Sequence, residues 1–394
     1  MTAKGQRLRV LVAHNAYRHR GGEDMVSESE IRLLRGHGHD VMTLVRRNDD
    51  LERTSRLRAV CETVWSQRTV LELRQAIRQF APDVIHVHNT FPVISPSLYW
   101  AADKLRVPVV QTLHNFRLLC PQAMLLRDGR VCEVCVGRFP LPGVIHGCYR
   151  GSVAQTSVAA AMLGVHRALG TYRSKVTRYV ALNEFCRRKF IEGGLPAHRI
   201  VVKPNFVEMP VFQPGERVGF LFVGRLSPEK GVETLAGAAS RVEGATFRVA
   251  GDGSEAARLE GLGNVCLLGA IGQASVRNEM LRAQALILPS IWYENFPRTL
   301  VEAFSCGLPV IASRLGALPE LIEDGVTGLL FDPGSEEDLA EKMRWAECNP
   351  LRMRKMGLQA REVYESKYTA EQNYQMLMSI YQDVINEAGR DNAA

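Results

Sequence analysis

The feature that most limits the fold of this chain is a regular alternation of short apolar runs with amphipathic stretches. Leu8–Ala13, Asp40–Val45, Val84–Val87, Val107–Thr112, Tyr179–Leu182 and Ile200–Val202 read as one group of strands. Phe220–Val223, Thr246–Ala250, Val265–Leu267, Leu286–Leu288, Val310–Ala312 and Gly328–Phe331 read as a second group. Helical patterns separate most of them, as at Met25–His37, Leu57–Phe80 and Val232–Ala239. Such alternation implies parallel sheets covered on both faces. The expected fold class is therefore α/β, with two Rossmann-like parallel-sheet domains facing each other across a cleft. Sheets of this kind bind ligands beyond the carboxyl ends of their strands.

With 394 residues the chain fits two domains of about 200 residues each. Pro204, Pro210 and Pro214 mark a linker near Asn205–Glu216. After Lys4, Arg7 and Arg9 the apolar run Val10–Ala13 is too short for a secretory signal. No stretch approaches the roughly 18 uninterrupted apolar residues of a membrane span. The nearest, Val153–Val165, is broken by Gln155, Thr156 and Ser157. The reading is a cytoplasmic protein.

The net charge of +7 hides an asymmetry. Residues 1–205 carry 31 Lys+Arg against 16 Asp+Glu, a net of +15, and residues 206–394 a net of −8. A basic body attracts anionic lipid, nucleic acid or an anionic substrate. The expected partner is the anionic inner face of the plasma membrane, bound peripherally. The alternative is solvated helix faces, where Arg53, Arg56, Arg58, Arg68, Arg74 and Arg78 are expected.

Two segments carry the chemistry. In Trp292–Gly307, WYENFPRTLVEAFSCG, Glu294 lies just before an Asn-Phe-Pro turn and Glu302 inside the following helix. Pro297 suits the first helical position, where a missing N–H costs nothing. A strand (Ala285–Pro289), a tight turn and a helix N-terminus make an anion site, because free N–H groups and the helix dipole point outward together. Upstream, Gly219–Gly231 reads GFLFVGRLSPEKG. After its strand, Gly224 permits a sharp exit, Arg225 and Lys230 place two cations in one loop, and Gly231 opens a helix. Two cations at a helix N-terminus suit a diphosphate through charge-assisted hydrogen bonds. Alone the loop is also an ordinary βα turn; together with Glu294 and Glu302 it is specific.

GRLSPEKG followed by E-N-F-P-x4-E-A-F-x-C-G-x-P-V-I-A-S resembles the retaining nucleotide-sugar glycosyltransferases of the GT-B fold, family 4 (glycosyl transferases group 1). The resemblance extends to Gly21-Gly22-Glu23 after the first strand, Lys203-Pro204-Asn205, Ala250-Gly251-Asp252-Gly253 and Gly325-x-x-Gly328-Leu329-Leu330. It implies an acceptor-binding domain at 1–205, a nucleotide-sugar domain at 206–368, and a segment 369–394 whose helix, Thr369–Ala388, crosses back onto the first domain. It implies a hexosyltransferase that moves a sugar from a UDP- or GDP-sugar to a lipid-linked or polysaccharide acceptor, with retention, by front-face attack and without a catalytic metal. The chain contains no Asp-x-Asp.

Carried over residue by residue, the resemblance assigns Arg225 and Lys230 to the donor diphosphate, Glu302 to the ribose hydroxyls and Glu294 to the transferred sugar. Backbone amides of Asn295, Phe296 and the residues after Pro297 (Arg298, Thr299, Leu300) would meet phosphate and sugar. Gly251–Gly253 and Val265–Gly269, including Leu268, would line the base pocket, with Gly224 at the turn. Gly22, beside Gly21, would bring bare backbone to the diphosphate or the acceptor. His114 ends a strand in Gln111-Thr-Leu-His-Asn115; the resemblance places it near the reacting sugar, and a structural histidine is the alternative. Catalysis would rest on Glu294, His114, Arg225 and Lys230. Arg18, His19, Arg20, Gly21, His114 and Asn115 are the acceptor candidates.

One feature is unusual for that family. Cys120, Cys132, Cys135 and Cys148 form C-x11-C-x2-C-x12-C within a Cys-rich knuckle, residues 114–150. The pair spacing and the total of four thiols suit a structural zinc; unligated thiols are the alternative. Four thiolates leave no open position, so the expected role is to shape acceptor binding. No other cofactor is expected. Competing readings are an epimerase or phosphorylase on the same fold, and a non-catalytic basic zinc-knuckle protein binding nucleic acid or anionic membrane. The first lacks the Glu-Lys-Gly loop or needs a much longer chain. For nucleic acid the aromatics among the arginines are too sparse, so no nucleic-acid partner is expected.

Overall fold

The computed structural model describes residues 7–17, 21–48, 55–208 and 215–393. Contacts divide the chain into two compact units: residues 1–124, 133–203 and 373–394, and residues 125–132 and 204–372. Residues 209–214, with Pro210 and Pro214, lie outside the described residues, as do Arg18, His19 and Arg20.

In the first unit, β1 (Arg9–Ala16), β2 (Asp40–Arg47), β3 (Val84–Asn89) and β4 (Val109–Thr112) form a sheet with two later strands. The short antiparallel hairpin β5 (Leu126–Arg127) and β6 (Arg130–Val131) intervenes before β7 (Arg178–Ala181) and β8 (Ile200–Val202). The sheet order is β2-β1-β3-β4-β7-β8, and every pairing is parallel. The second unit holds β9 (Phe220–Val223), β10 (Phe247–Ala250), β11 (Val265–Gly269), β12 (Ala285–Leu288), β13 (Val310–Ser313) and β14 (Gly328–Phe331). Their order, β11-β10-β9-β12-β13-β14, is also wholly parallel. All twelve expected strands are present, with ends moved by up to three residues.

Most of these strands are too short to hold themselves together, and burial on both faces does it instead. In the second unit Phe220, Phe222, Phe247, Val249 and Ile287 pack under the helices Val232–Ala239 and Glu336–Cys348. In the first, Leu8, Val10, Val12, Val84, Val110 and Val180 meet Leu34 from the helix Gly22–Gly36. They also meet Leu377, Ile380, Tyr381 and Val384 from the helix Ala370–Ala393. Each fully buried side chain of this size contributes about 1.5–3 kcal/mol.

Two expectations change. The pattern Leu57–Phe80 is two helices, Arg56–Val64 and Gln67–Phe80. Trp65 between them is extended (φ −146°, ψ 104°), and Ser66 Oγ accepts the Thr69 N–H (3.2 Å), capping the second helix. Periodicity runs across such a break; the serine cap is its only local sign. Pro297 is not the first helical residue but the cap before it, with ψ at 114°, and the helix is Arg298–Ser305.

Candidate active site

In the second unit the strand order reverses between β9 and β12, and ligands of such sheets bind at that reversal, beyond the carboxyl ends. Both sequence motifs leave the sheet there. The loop after β9 carries Gly224, Arg225 and Lys230 and ends at Gly231, the cap of helix Val232–Ala239. The segment after β12 carries Ser290, Trp292 and Glu294.

The two loops touch through backbone that tolerates no side chain. Gly231 has φ +70°, and a Cβ there would lie 1.8 Å from the Pro289 carbonyl oxygen. The loop after β10 presses on the loop after β9 in the same way: a Cβ on Gly251 would lie 1.8 Å from the Gly224 carbonyl oxygen. Ile291 N–H donates to the Glu229 carbonyl at 3.0 Å, closing the junction.

This approach brings Lys230 Nζ to 2.6 Å from Glu294 Oε1. The same oxygen accepts from Ser290 Oγ (2.7 Å) and Trp292 Nε1 (3.0 Å), and the ammonium lies 5.2 Å from the Trp292 ring centroid. Burial alone would raise the Glu294 pKa. The Lys230 charge and the hydrogen bonds from Lys230, Ser290 and Trp292 outweigh it and hold the carboxyl below its usual range. Arg225, by contrast, is 69% exposed, 3.4 Å from Glu229. Thus the structure joins Lys230 to Glu294 and leaves Arg225 reaching outward.

Glu302 lies on the helix Arg298–Ser305, where Arg298 Nε donates to its Oε1 at 2.8 Å. Burial pushes the Glu302 carboxyl upward, and Arg298 offsets only part of that. Of the first-turn amides, Leu300 N–H already donates to the Pro297 carbonyl (3.1 Å); those of Arg298 and Thr299 stand at the turn the helix leaves without intrahelical acceptors. The Leu300 side chain is in the core, and Phe296 packs edge-on to Tyr368 at 5.6 Å, which leaves only the backbone of these two for a ligand. Asn295 directly follows Glu294 in the same turn. Gly251 N–H bonds the Gly269 carbonyl (2.8 Å), next to the half-buried Leu268 at the end of β11, and a Cβ on Gly253 would clash with the Leu226 carbonyl oxygen at 2.2 Å.

In the first unit the order reverses between β1 and β3. Gly21 caps the helix Gly22–Gly36, its N–H bound by Asp24 Oδ2 (2.7 Å), while Asp24 Oδ1 meets His14 Nε2 (2.7 Å). Gly22 opens that helix and is exposed. Asn115 Nδ2 donates to Glu23 Oε1 at 2.6 Å, and Asn115 Oδ1 accepts the Arg117 N–H at 2.9 Å. Burial pushes the Glu23 carboxyl up, against the hydrogen bonds it accepts from Asn115 and Tyr17. His114 follows β4, and its Nε2 meets His88 Nδ1 at 2.9 Å. A cavity of about 30 Å3, lined by His88, Phe91, His114, Asn115 and Arg117, has room for about one water.

Sequence reasoning missed the residues beneath His114. Lys203, named above only within the Lys203-Pro204-Asn205 resemblance, is fully buried with Nζ 2.6 Å from Glu30 Oε1 and 3.1 Å from Asn373 Oδ1. Glu30, His86 and His88 bring three ligand atoms within 4.8 Å. A cation is already supplied there by Lys203, and both His86 nitrogens have partners, Tyr381 Oη (2.7 Å) and Thr112 Oγ1 (2.8 Å). The cluster is an ion pair set among imidazoles. Only the strand-alternate spacing of His86 and His88 could have hinted at it.

Of the four cysteines, Cys120, Cys135 and Cys148 belong to the first unit and Cys132 to the second. The first three share one neighbourhood: Gly143 lies against Pro121 and Cys135 Sγ, and its carbonyl accepts the Cys148 N–H (3.0 Å). Their three sulfurs do not all lie within 4.8 Å of one another.

The two parallel sheets give the chain the fold of the GT-B glycosyltransferases. A sucrose-phosphate synthase from Thermosynechococcus elongatus superposes with a TM-score of 0.73 over 97% of this chain and 100% of its own, at 18% identity. Anabaena HepE, solved with UDP, gives 0.68 over 95% and 100%, at 17% identity. A model of glycosyl transferases group 1 matches residues 210–363, and one of glycosyltransferase family 4 matches residues 21–209. The chain belongs to the group 1 glycosyltransferases. An uncharacterized glycosyltransferase of Methanocaldococcus jannaschii is 29% identical over 50% of this chain and 59% of its own length. A D-inositol 3-phosphate glycosyltransferase of Segniliparus rotundus is 26% identical over 76% and 66%. The chain spans 41% to 66% of the length of such relatives.

Proposed function

We propose that the chain transfers a sugar from a UDP- or GDP-sugar to a lipid-linked or glycan acceptor, with retention and without a metal ion in the reaction. The observation that carries this reading is the Lys230–Glu294 pair at the sheet reversal of the second unit, with Arg225 reaching outward beside it. Complexes of Anabaena HepE with UDP and with UDP-glucose support the choice of donor.

In the ligand-free chain the Lys230 charge is held by Glu294. A diphosphate offers that ammonium a second anion, and Arg225 closes on the same phosphates. As the anomeric carbon–oxygen bond breaks, negative charge grows on the leaving phosphate, and the two cations stabilise it. The acceptor hydroxyl forms its bond to the anomeric carbon on the face the phosphate leaves, and its proton passes to a leaving-phosphate oxygen. Glu294 binds sugar hydroxyls, Glu302 binds the ribose, and the amides of Arg298 and Thr299 meet phosphate. These groups act by position and charge, so no protein nucleophile is required.

The acceptor is assigned to the first unit, where Asn115, Gly21 and His114 are candidates. That unit is basic, and it exposes Phe139 (58%) and Ile145 (68%) near Arg138 and Arg150 in the sequence, which favours docking on an anionic lipid surface. Among the described residues no helix is long and apolar enough to cross a membrane. For the cysteines the reading stays a structural zinc, which would have to draw together sulfurs that stand apart in the ligand-free chain.

A melting screen with UDP-, GDP- and ADP-sugars in the absence of metal tests the donor reading. One base series should raise the melting temperature by mass action, and Glu294→Ala should remove the rise. No rise with any of them, with or without added acceptor lipid, would overturn it.

A further inference from the structure

His86, His88 and His114 stack in a row in the first unit, with ring centroids 4.4 Å and then 5.2 Å apart. Burial keeps all three neutral at neutral pH: it lowers His86 to about 4 and His114 to about 3, and takes His88 well below its ordinary value. A neutral imidazole has one N–H and one lone pair, so a hydrogen bond between two of them has a direction. That direction decides which nitrogen of His114 carries its proton.

The row is anchored at the other end. Lys203 Nζ lies 2.6 Å from Glu30 Oε1; although burial alone would raise the Glu30 pKa, the Lys203 charge and hydrogen bond help to hold it below its usual range. An ionised carboxylate only accepts. Its Oε2 stands 3.3 Å from His88 Nε2, a charge contact rather than a hydrogen bond as the two are placed, and among the described residues neither atom has a hydrogen-bond partner. A lone pair on Nε2 would face the charged carboxylate oxygen and be repelled by it, whereas a proton there is attracted to that charge. His86 does not compete, since both its nitrogens are engaged. With its proton on Nε2, His88 offers Nδ1 as acceptor, and His114 Nε2 must donate across the 2.9 Å contact.

We infer that Glu30, held by Lys203, sets the tautomer of His114 through His88, so that His114 carries its proton on Nε2 and meets a substrate hydroxyl as a hydrogen-bond acceptor through Nδ1. The functional half of this inference rests on the glycosyltransferase reading. Glu30, His88 and Lys203 are positioning residues.

The tautomer can be read without any activity. In the full chain labelled with 15N-histidine, long-range proton–nitrogen correlation should give His114 a pyridine-like Nδ1 and a pyrrole-like Nε2, with the signals assigned by their loss in His114→Gln. The opposite pattern, or shifts averaged between tautomers, overturns the inference and leaves the donor reading untouched. A second measurement reads its consequence. With the sugar nucleotide found in the melting screen, His88→Leu should lower kcat roughly tenfold while KM stays within about twofold. His88→Asn, which keeps an acceptor in place of Nδ1, should restore most of kcat. Full kcat in folded His88→Leu would overturn the link from tautomer to turnover.

Discussion

Lys230 and Glu294 stand 64 positions apart in the chain, yet Nζ and Oε1 meet at 2.6 Å. The contact follows from topology: β9 and β12 are neighbours in the sheet, and each motif begins where its strand ends. The pair is nearly neutral as a unit, so the ligand-free site holds a buried carboxylate at little electrostatic cost. On the proposed reading, an incoming diphosphate would redistribute charge already in place.

Lys230→Ala should therefore do two things. It should cut sugar transfer at least about 100-fold, by removing charge from the leaving group. It should also destabilise the fold by about 2 kcal/mol near pH 7, because Glu294 loses its main partner while staying buried. The Glu294 pKa is lowered in the folded chain, so its share of stability is present above the unfolded value of about 4.3 and fades as pH falls through the folded value. Urea unfolding of Glu294→Gln and the wild-type chain should thus differ most near neutral pH and converge in acid.

Glu302 should behave with the opposite sign. Its folded pKa is raised, so the folded chain binds its proton more tightly, and stability declines as pH rises from the unfolded value through the folded one. Glu302→Gln should be neutral or slightly stabilising at pH 7 by thermal melting. Nucleotide affinity should fall roughly tenfold by calorimetry, the loss of a charged hydrogen bond to ribose. Unchanged affinity would remove Glu302 from the site.

Gly231→Ala is expected to be poorly tolerated. The added Cβ would enter the Pro289 carbonyl at 1.8 Å, at a φ of +70°. Strain and forced movement together amount to about 2–4 kcal/mol, visible as a lower urea midpoint. Gly22→Ala, with nothing within 4 Å of its Cβ, should leave that midpoint unchanged.

Elemental analysis of the purified chain should find about one zinc per molecule, and Cys135→Ser should lower both zinc content and melting temperature. A metal-free chain of unchanged stability would leave these residues as plain thiols.

Flotation with vesicles should separate the charge reading from mere solubility. Phosphatidylglycerol vesicles should carry the chain and neutral phosphatidylcholine vesicles should not, with release as salt rises. Equal behaviour on both would point away from lipid as the basis of the +15 charge of residues 1–205.

The sheets were legible because a strand buried on both faces writes a continuous apolar run, and Phe220–Val223 or Val310–Ser313 admit little else. The Lys230 and Glu294 motifs were legible because each lies in a short segment with its own turn residues. What could not be read was pairing across distance. Glu30 and Lys203 are 173 positions apart, and nothing local marks either as buried; lysine is expected at the surface. Asn115, read as an acceptor candidate, is tied to Glu23 across 92 positions for the same reason. The break at Ser66 was hidden because the apolar spacing runs on through Trp65 from one helix into the next.

The helix Ala370–Ala393 gives the protein an unusual order of assembly. Leu377, Tyr381 and Val384 fill the core around Val10, Val84 and Val110, and Asn373 reaches Lys203. On the ribosome, multidomain chains close from the N-terminus onward. Here residues 204–372 emerge and can close while the portion made earlier still waits for its last helix. The half of the protein synthesised first is the half completed last, and until then its apolar strands depend on whatever in the cell shields nascent chains.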